Sequence, residues 1–335
     1  MEILKRVHAG KLVEWARNKP ETLLLSADLT SSTEADLFKE AYPDRFFSMG
    51  IAEQNMMSFA GGLAREGYVP LIHTFAVFIY RRAYDQIAMS VAYPNLPVKM
   101  FGFLPGILTP GGATHQAIED ISVMRSLPNM TVLEVGDATD AESVLEVAYR
   151  VPGPVYIRAL RGEIPRLFEA SEPMKLNQAR RLSRGGDIAV FSSGICTEEA
   201  RLVVELLQRR GLSIEHLHVS TLKPFTDPQV LEALAKVKFG AITLENHTVI
   251  GGLGSAVAET IAEAGLKCPL TRMGIKDRFL HGASRSFLAE ENGMDALALA
   301  SEIGKKMGVD LRVTREQLGS IHLTPVHSDS KAEAL

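Results

Sequence analysis

Short apolar runs alternate with longer helical patterns along most of the chain. A run over 22–27 reads as a strand, and the polar stretch after it, 28–33, as a loop. Residues 68–73 form another candidate strand, with a helix over 81–92 behind it. Strands over 98–102 and 131–135 continue the series, then a helix over 140–151 and a buried strand over 155–158. Strands alternating with helices predict a largely parallel sheet covered on both faces.

The rhythm breaks after residue 160, with Pro165, Pro173 and the basic stretch Arg180-Arg181-Leu182-Ser183-Arg184. It restarts with a strand over 187–192, a Ser193-Gly194 turn and a helix over 197–210. Further strands are expected over 213–219 and 240–245. The pattern thus divides into a first α/β unit at 1–165, a linker at 166–184, and a second α/β unit at 185–312. A partly flexible C-terminal extension follows at 313–335, where the chain turns polar. The expected fold class is α/β, with two open α/β domains.

The bulk properties narrow the picture modestly. A chain of 335 residues is long enough for two cores. Its formal charge of -4 gives no sign of a nucleic-acid or anionic-membrane partner. No apolar run approaches the roughly 20 residues of a membrane span, and the amphipathic N-terminus lacks the apolar centre of a secretory signal. Cys196 and Cys268 fit no metal or disulfide spacing and read as reduced core thiols. The expected compartment is the cytoplasm.

Four features carry candidate chemistry. Gly251-Gly252-Leu253-Gly254 resembles a phosphate-binding strand-to-helix turn, but its spacing departs from G-x-G-x-x-G and favours a tight structural turn. Residues 109–116 end in Thr114-His115-Gln116, where glycines permit close backbone approach and His115 can move protons near neutral pH. Phe75, Phe78 and Tyr80 read mostly as core, yet one of them can stack on a flat heteroaromatic ring. Glu53 is the hardest to place as structure. It opens a small-residue helical stretch, and Glu is seldom buried unpaired. It either complements the helix dipole or serves as a buried acid-base group that shares a proton with a ligand nitrogen.

In order, these stretches resemble the C-terminal half of a transketolase, from about residue 5 to about residue 310. Gly50-Ile51-Ala52-Glu53-Gln54-Asn55-Met56 is similar to the family's G-[IV]-x-E-x-x-M. The resemblance implies that Glu53 hydrogen-bonds the aminopyrimidine ring of thiamine diphosphate. Thr74-Phe75-Ala76-Val77-Phe78 resembles T-F-x-x-F, which places Phe78, with Phe75, against that ring. Ala27-Asp28-Leu29-Thr30-Ser31-Ser32 is similar to A-D-L-x-x-S, which implies a cofactor contact for Asp28 and a sugar-phosphate contact for Ser32. Thr114-His115-Gln116 resembles T-H-Q, whose His meets the substrate, and Arg158 stands where the family has a phosphate-binding arginine. Residues 243–254 resemble the family's C-terminal domain.

The implied activity is transfer of a two-carbon ketol unit from a ketose phosphate to an aldose or aldose-phosphate acceptor. Two departures bear on the donor. Pro110-Gly111-Gly112 replaces an acidic residue before the T-H-Q tip, and Phe103-Leu104-Pro105 stands where the family has a His. A related or unusual sugar phosphate would fit these changes. Gly186-Asp187-Ile188 is not the G-D-G of a diphosphate site, and no acidic-Asn set suits a divalent metal. No metal ligands are therefore expected here. The resemblance implies a partner subunit, an N-terminal-half transketolase chain carrying the diphosphate site and Mg²⁺ or a similar ion, in an α2β2 heterotetramer. Rival readings are the β subunit of a 2-oxo acid dehydrogenase, a deoxyxylulose-phosphate synthase-like enzyme, and a non-catalytic regulatory subunit.

Overall fold

The computed structural model describes residues 2–324. The first half of the chain supplies strands β1 (Ile3–Lys5), β2 (Thr22–Ser26), β3 (Phe46–Ser48), β4 (Val69–Phe75), β5 (Lys99–Phe103), β6 (Thr131–Glu134), β7 (Val155–Ala159) and β8 (Glu163–Pro165). The second half supplies β9 (Arg180–Ser183), β10 (Ile188–Ser192), β11 (Ile214–His218), β12 (Thr221–Lys223), β13 (Ala241–Thr248) and β14 (Leu270–Ile275). The architecture is two α/β domains with mostly parallel sheets.

The first sheet has the order β12-β6-β7-β5-β4-β2-β3. β3, β2, β4, β5, β7 and β6 run parallel. β2, β5, β6 and β7 are buried along their whole length, as strands covered on both faces must be. The second sheet has the order β14-β13-β10-β11-β9, parallel except for β9. β1 and β8 form a separate antiparallel pair.

Several elements differ from the sequence expectation. The strand expected over 68–73 runs on to Phe75, and the helix behind it starts at once, as Ala76–Gln86, rather than at 81. Gly102 makes this abrupt turn possible. A Cβ there would lie 2.9 Å from the Ala76 Cα, so only glycine lets the helix start lie against β5. The helix then continues as a π-helical turn, Ile87–Ala92. The stretch expected as a linker over 166–184 contains β9, which pairs with β11 and edges the second sheet.

β12 was not foreseen. It follows β11 in the second half but pairs antiparallel with β6, so one sheet is shared between the two halves. The Lys223 ammonium, donating to the carbonyls of Arg125 and Leu127, pins it there. Of the expected C-terminal extension, 313–324 is described, and Thr324 bridges to Glu163; 325–335 lies outside the described residues.

Candidate functional site

In an open parallel sheet, ligands enter beyond the carboxyl ends of the strands, where the winding direction reverses. Here β3 lies to one side of β2 and β4 to the other, so the reversal falls between β2 and β4. The loop leaving β2 carries Asp28 and Ser32, while Phe75 ends β4 and Phe78 lies in the first turn of the helix that follows it directly. Asp28 is exposed and left-handed (φ 60°), a conformation that Asp tolerates better than most residues. Ser32 is half-buried, and its carbonyl accepts a 2.6 Å hydrogen bond from Arg161.

Glu53 enters from the end of β3. Gly50, at φ 67°, turns the chain, and Glu53 is the first residue of the helix Glu53–Arg65. The small-residue run explains the packing of this helix. A Cβ on Gly61 would come within 2.4 Å of the Ser90 carbonyl oxygen, so the helix lies directly on the Ile87–Ala92 turn. Met56, Met57, Ala60 and Ala64 bury the remainder of its inner face.

The Glu53 side chain is only 1% exposed, yet it is not walled by apolar groups alone. Arg82 donates to both carboxylate oxygens from one nitrogen, Nη1, at 2.9 and 2.7 Å. Its guanidinium carbon also lies 4.9 Å from the centre of the Phe78 ring, within cation–π range. Phe78 in turn stacks on Phe75, with centres 6.0 Å apart, and meets His115 edge-on at 5.6 Å. Glu53, Arg82, Phe78, Phe75 and His115 therefore form one contiguous group.

The His115 loop is held by the arginine next door. Arg81 donates to the carbonyls of Ala113 (2.7 Å) and Gln116 (3.3 Å) and makes a two-point pair with Glu119. The second half supplies the His281 carbonyl, which accepts from Gln116 Nε2 at 3.3 Å. Gly112 lies against Gly282, where there is no room for a side chain on either residue without a close contact. The unexpected segment Phe103-Leu104-Pro105 is buried against the second half. There Asn246 accepts from the Ile107 amide (2.9 Å) and donates to the Pro105 carbonyl (3.0 Å).

Arg158 requires a correction. It is wholly buried within β7, and its donors are committed: to Asp120 at 2.8 and 3.1 Å, to Glu134, and to the carbonyls of Ala117 and Asn246. Burial pushes its pKa down, but the Asp120 and Glu134 carboxylates outweigh that, and the guanidinium is held more firmly charged than usual. A phosphate contact does not fit this position. Arg158 ties β7 to both halves of the molecule. Arg161, beyond the end of the same strand, is a further buried guanidinium at the crevice, 2% exposed: it bonds Ser32 and lies 5.5 Å from the Phe75 ring centre. No sequence signal separates it from Arg158, since the site lies past the strand end and only the structure shows that β7 stops at Ala159.

The glycine turn at 251–254 is structural. The Glu245 carboxyl accepts from the amides of Leu253 (2.7 Å) and Gly254 (2.9 Å), so the helix N-terminus is already filled by an acidic side chain of the protein itself. Both cysteines are buried free thiols, and burial raises their pKa, which leaves them poor nucleophiles. Among the described residues, no cluster of three or more His, Cys, Asp or Glu side chains suits a metal ion, and no helix is long and apolar enough to cross a membrane.

Comparison with known proteins adds the family. Residues 6–166 match the transketolase pyrimidine-binding domain and residues 177–299 the transketolase C-terminal domain. The chain is 38% identical over 294 residues to a 6-deoxy-6-sulfo-D-fructose transketolase subunit of Clostridium sp. (strain MSTE9), covering 88% of this chain and 91% of that one. It is 34% identical over 307 residues to a transketolase C-terminal section of Methanocaldococcus jannaschii, covering 91% and 96%. A solved structure described as a split gene transketolase, inactive beta4 tetramer, superposes with a TM-score of 0.81 at 36% identity, covering 90% of this chain and 97% of that one. The buried glutamate at the β2/β4 crevice thus lies in a recognised pyrimidine-binding domain, and the chain belongs to the transketolase family.

Proposed function

We propose that this chain is the pyrimidine-holding subunit of a split, thiamine-diphosphate-dependent transketolase, active only with a partner that supplies the diphosphate and divalent-metal site. The observation that carries this reading is Glu53, a carboxylate 1% exposed at the start of a helix and grouped with a half-buried Phe78. A planar, basic heteroaromatic ring fits those two groups: Phe78 offers a face for stacking, and Glu53 a carboxyl for a ring nitrogen. When bound, thiamine diphosphate supplies the electron sink for a two-carbon fragment.

This chain's residues perform the rest. Glu53 holds or gives up a proton at the ring nitrogen, which selects the ring's tautomer. Phe78 and Phe75 fix the ring plane, with Asp28 at the mouth of the crevice. His115, steadied by Arg81, faces the sugar and moves a proton at a substrate hydroxyl. Ser32 and Arg161 offer the wall against which the anionic end of a ketose is oriented. The assembly proposed is α2β2, and the relative solved as an inactive beta4 tetramer agrees with a chain that needs a partner for turnover.

The donor is an anionic ketose, transferred to an aldose or aldose phosphate. The test is a screen of the two-subunit complex against ketose and aldose phosphates. 6-Sulfonated ketoses belong in the panel because one relative is named for such a sugar. Thiamine-diphosphate-dependent ketol transfer to an aldose supports the reading; oxidative decarboxylation of a 2-oxo acid instead would replace it.

A further inference from the structure

Arg82 makes both contacts that the proposed function assigns to the aminopyrimidine ring. Its guanidinium is flat, carries N–H donors, faces the Phe78 ring at 4.9 Å and donates twice to Glu53. Phe78 and Arg82 are four residues apart on one helix, so their side chains share a face. The anchoring is asymmetric: the Glu53 side chain is 1% exposed and the Arg82 side chain 43% exposed. One partner is therefore fixed in the core, while the other reaches in from the surface and has solvent to swing into. The helix breaks just beyond, at Ala83 (φ -121°, ψ 19°).

We infer that Arg82 is an internal stand-in for the aminopyrimidine ring, competing with the cofactor for Glu53 and Phe78. A planar ring stacked on Phe78 and bonded to Glu53 cannot occupy that space together with the guanidinium. Pyrimidine binding therefore requires Arg82 to leave. In the closed arrangement Arg82 satisfies a buried carboxylate that would otherwise be costly. Apparent affinity for the cofactor is then the intrinsic affinity multiplied by the fraction of molecules with Arg82 swung out. This inference rests on the thiamine reading above.

The test is thiamine titrated calorimetrically into the full chain, alone and with its partner subunit. If the latch is open in about a tenth of molecules, Arg82→Ala binds thiamine about tenfold more tightly than the wild type. Arg82→Lys keeps a charge but not a flat fork, and falls between the two. Arg82→Gln is measured beside Arg82→Ala, so a folding defect in one variant does not stand in for the result. Thiamine binding by both neutral variants that is no tighter than wild type overturns the stand-in role. If Glu53→Gln abolishes wild-type thiamine binding in that case, the pyrimidine reading survives without the latch. Absence of saturable thiamine binding in every variant that keeps Glu53, with and without the partner, overturns both.

Discussion

Removing a charge from water costs several kcal/mol unless a partner compensates, and Glu53 and Arg158, both among the chain's buried charges, meet that cost in different ways. Glu53 is compensated by the guanidinium of Arg82, whose side chain is 43% exposed while that of Glu53 is 1% exposed. Glu53→Gln is expected to lower turnover of the complex by about 10²–10⁴-fold, the range for losing an acid-base group. Co-purification with the partner is expected to be unchanged, and near-wild-type rates would remove the proton role. Arg158 is compensated on every side by groups that cannot move. Arg158→Ala leaves Asp120 and Glu134 buried without their cation, and is expected to cost about 3–5 kcal/mol, read as a fall in the thermal midpoint. If the variant instead kept full stability and only raised KM for phosphorylated sugars, Arg158 would be a substrate residue after all. Glu53, Phe78 and His115 were legible in the sequence because each stands in a short motif with its own chemistry. The difference between Arg158 and Arg161 was not, because it depends on where β7 ends, and an apolar run does not mark its last residue.

Short parallel strands announce themselves by apolar composition, and most of the first sheet was readable on that ground. The connections were harder to read. The helix after β4 begins immediately at Ala76, which depends on Gly102, a residue on the neighbouring strand. Likewise the role of the 53–65 small-residue run emerges only when Gly61 meets Ser90. Gly61→Ala forces a Cβ into that carbonyl and is expected to destabilise the chain by about 1–3 kcal/mol, measurable by denaturant titration. A neutral substitution would mean that the helix lies off the turn. The Arg81 clamp belongs to this scale too. Arg81→Ala frees the carbonyls of Ala113 and Gln116 and releases Glu119. Amide hydrogen exchange in 112–116 is expected to speed up, and ketol transfer to fall roughly 10- to 100-fold through misplacement of His115. Unaltered exchange in that loop would rule out the clamp.

At the scale of the whole molecule, β12 in the first sheet and Asn246 against the Ile107 segment bind the two halves into one body, which no local pattern could reveal. Titratable groups are buried as well, both at the seam and within each half. Burial raises the Glu245 carboxyl to about 8, while His8, His216 and His247 are held down to about 3, 3 and 4. Those histidines are neutral in the fold near pH 6.5, while in the unfolded chain they are still losing their protons there, so they add stability as pH rises through 6.5. Glu245 is then protonated in the fold but ionised when unfolded, so the folded state binds the extra proton. The Glu245 contribution is therefore expected to fall by about 1–2 kcal/mol as pH rises from 6.5 through 8, against an opposite contribution from the buried histidines and from Lys99, whose pKa burial lowers to about 7, so it is read as the difference in pH slope between the wild type and Glu245→Gln. The same pH slope in the wild type and in Glu245→Gln would contradict the assignment. The most direct measurement of all is ketol transfer with thiamine diphosphate and Mg²⁺, compared for this chain alone, the partner alone, the mixture, and the mixture with Glu53→Gln. Transfer is expected only in the wild-type mixture, at least 10²-fold above the Glu53→Gln mixture. Transfer by this chain alone, or equal rates in the two mixtures, would contradict a shared active site built on Glu53.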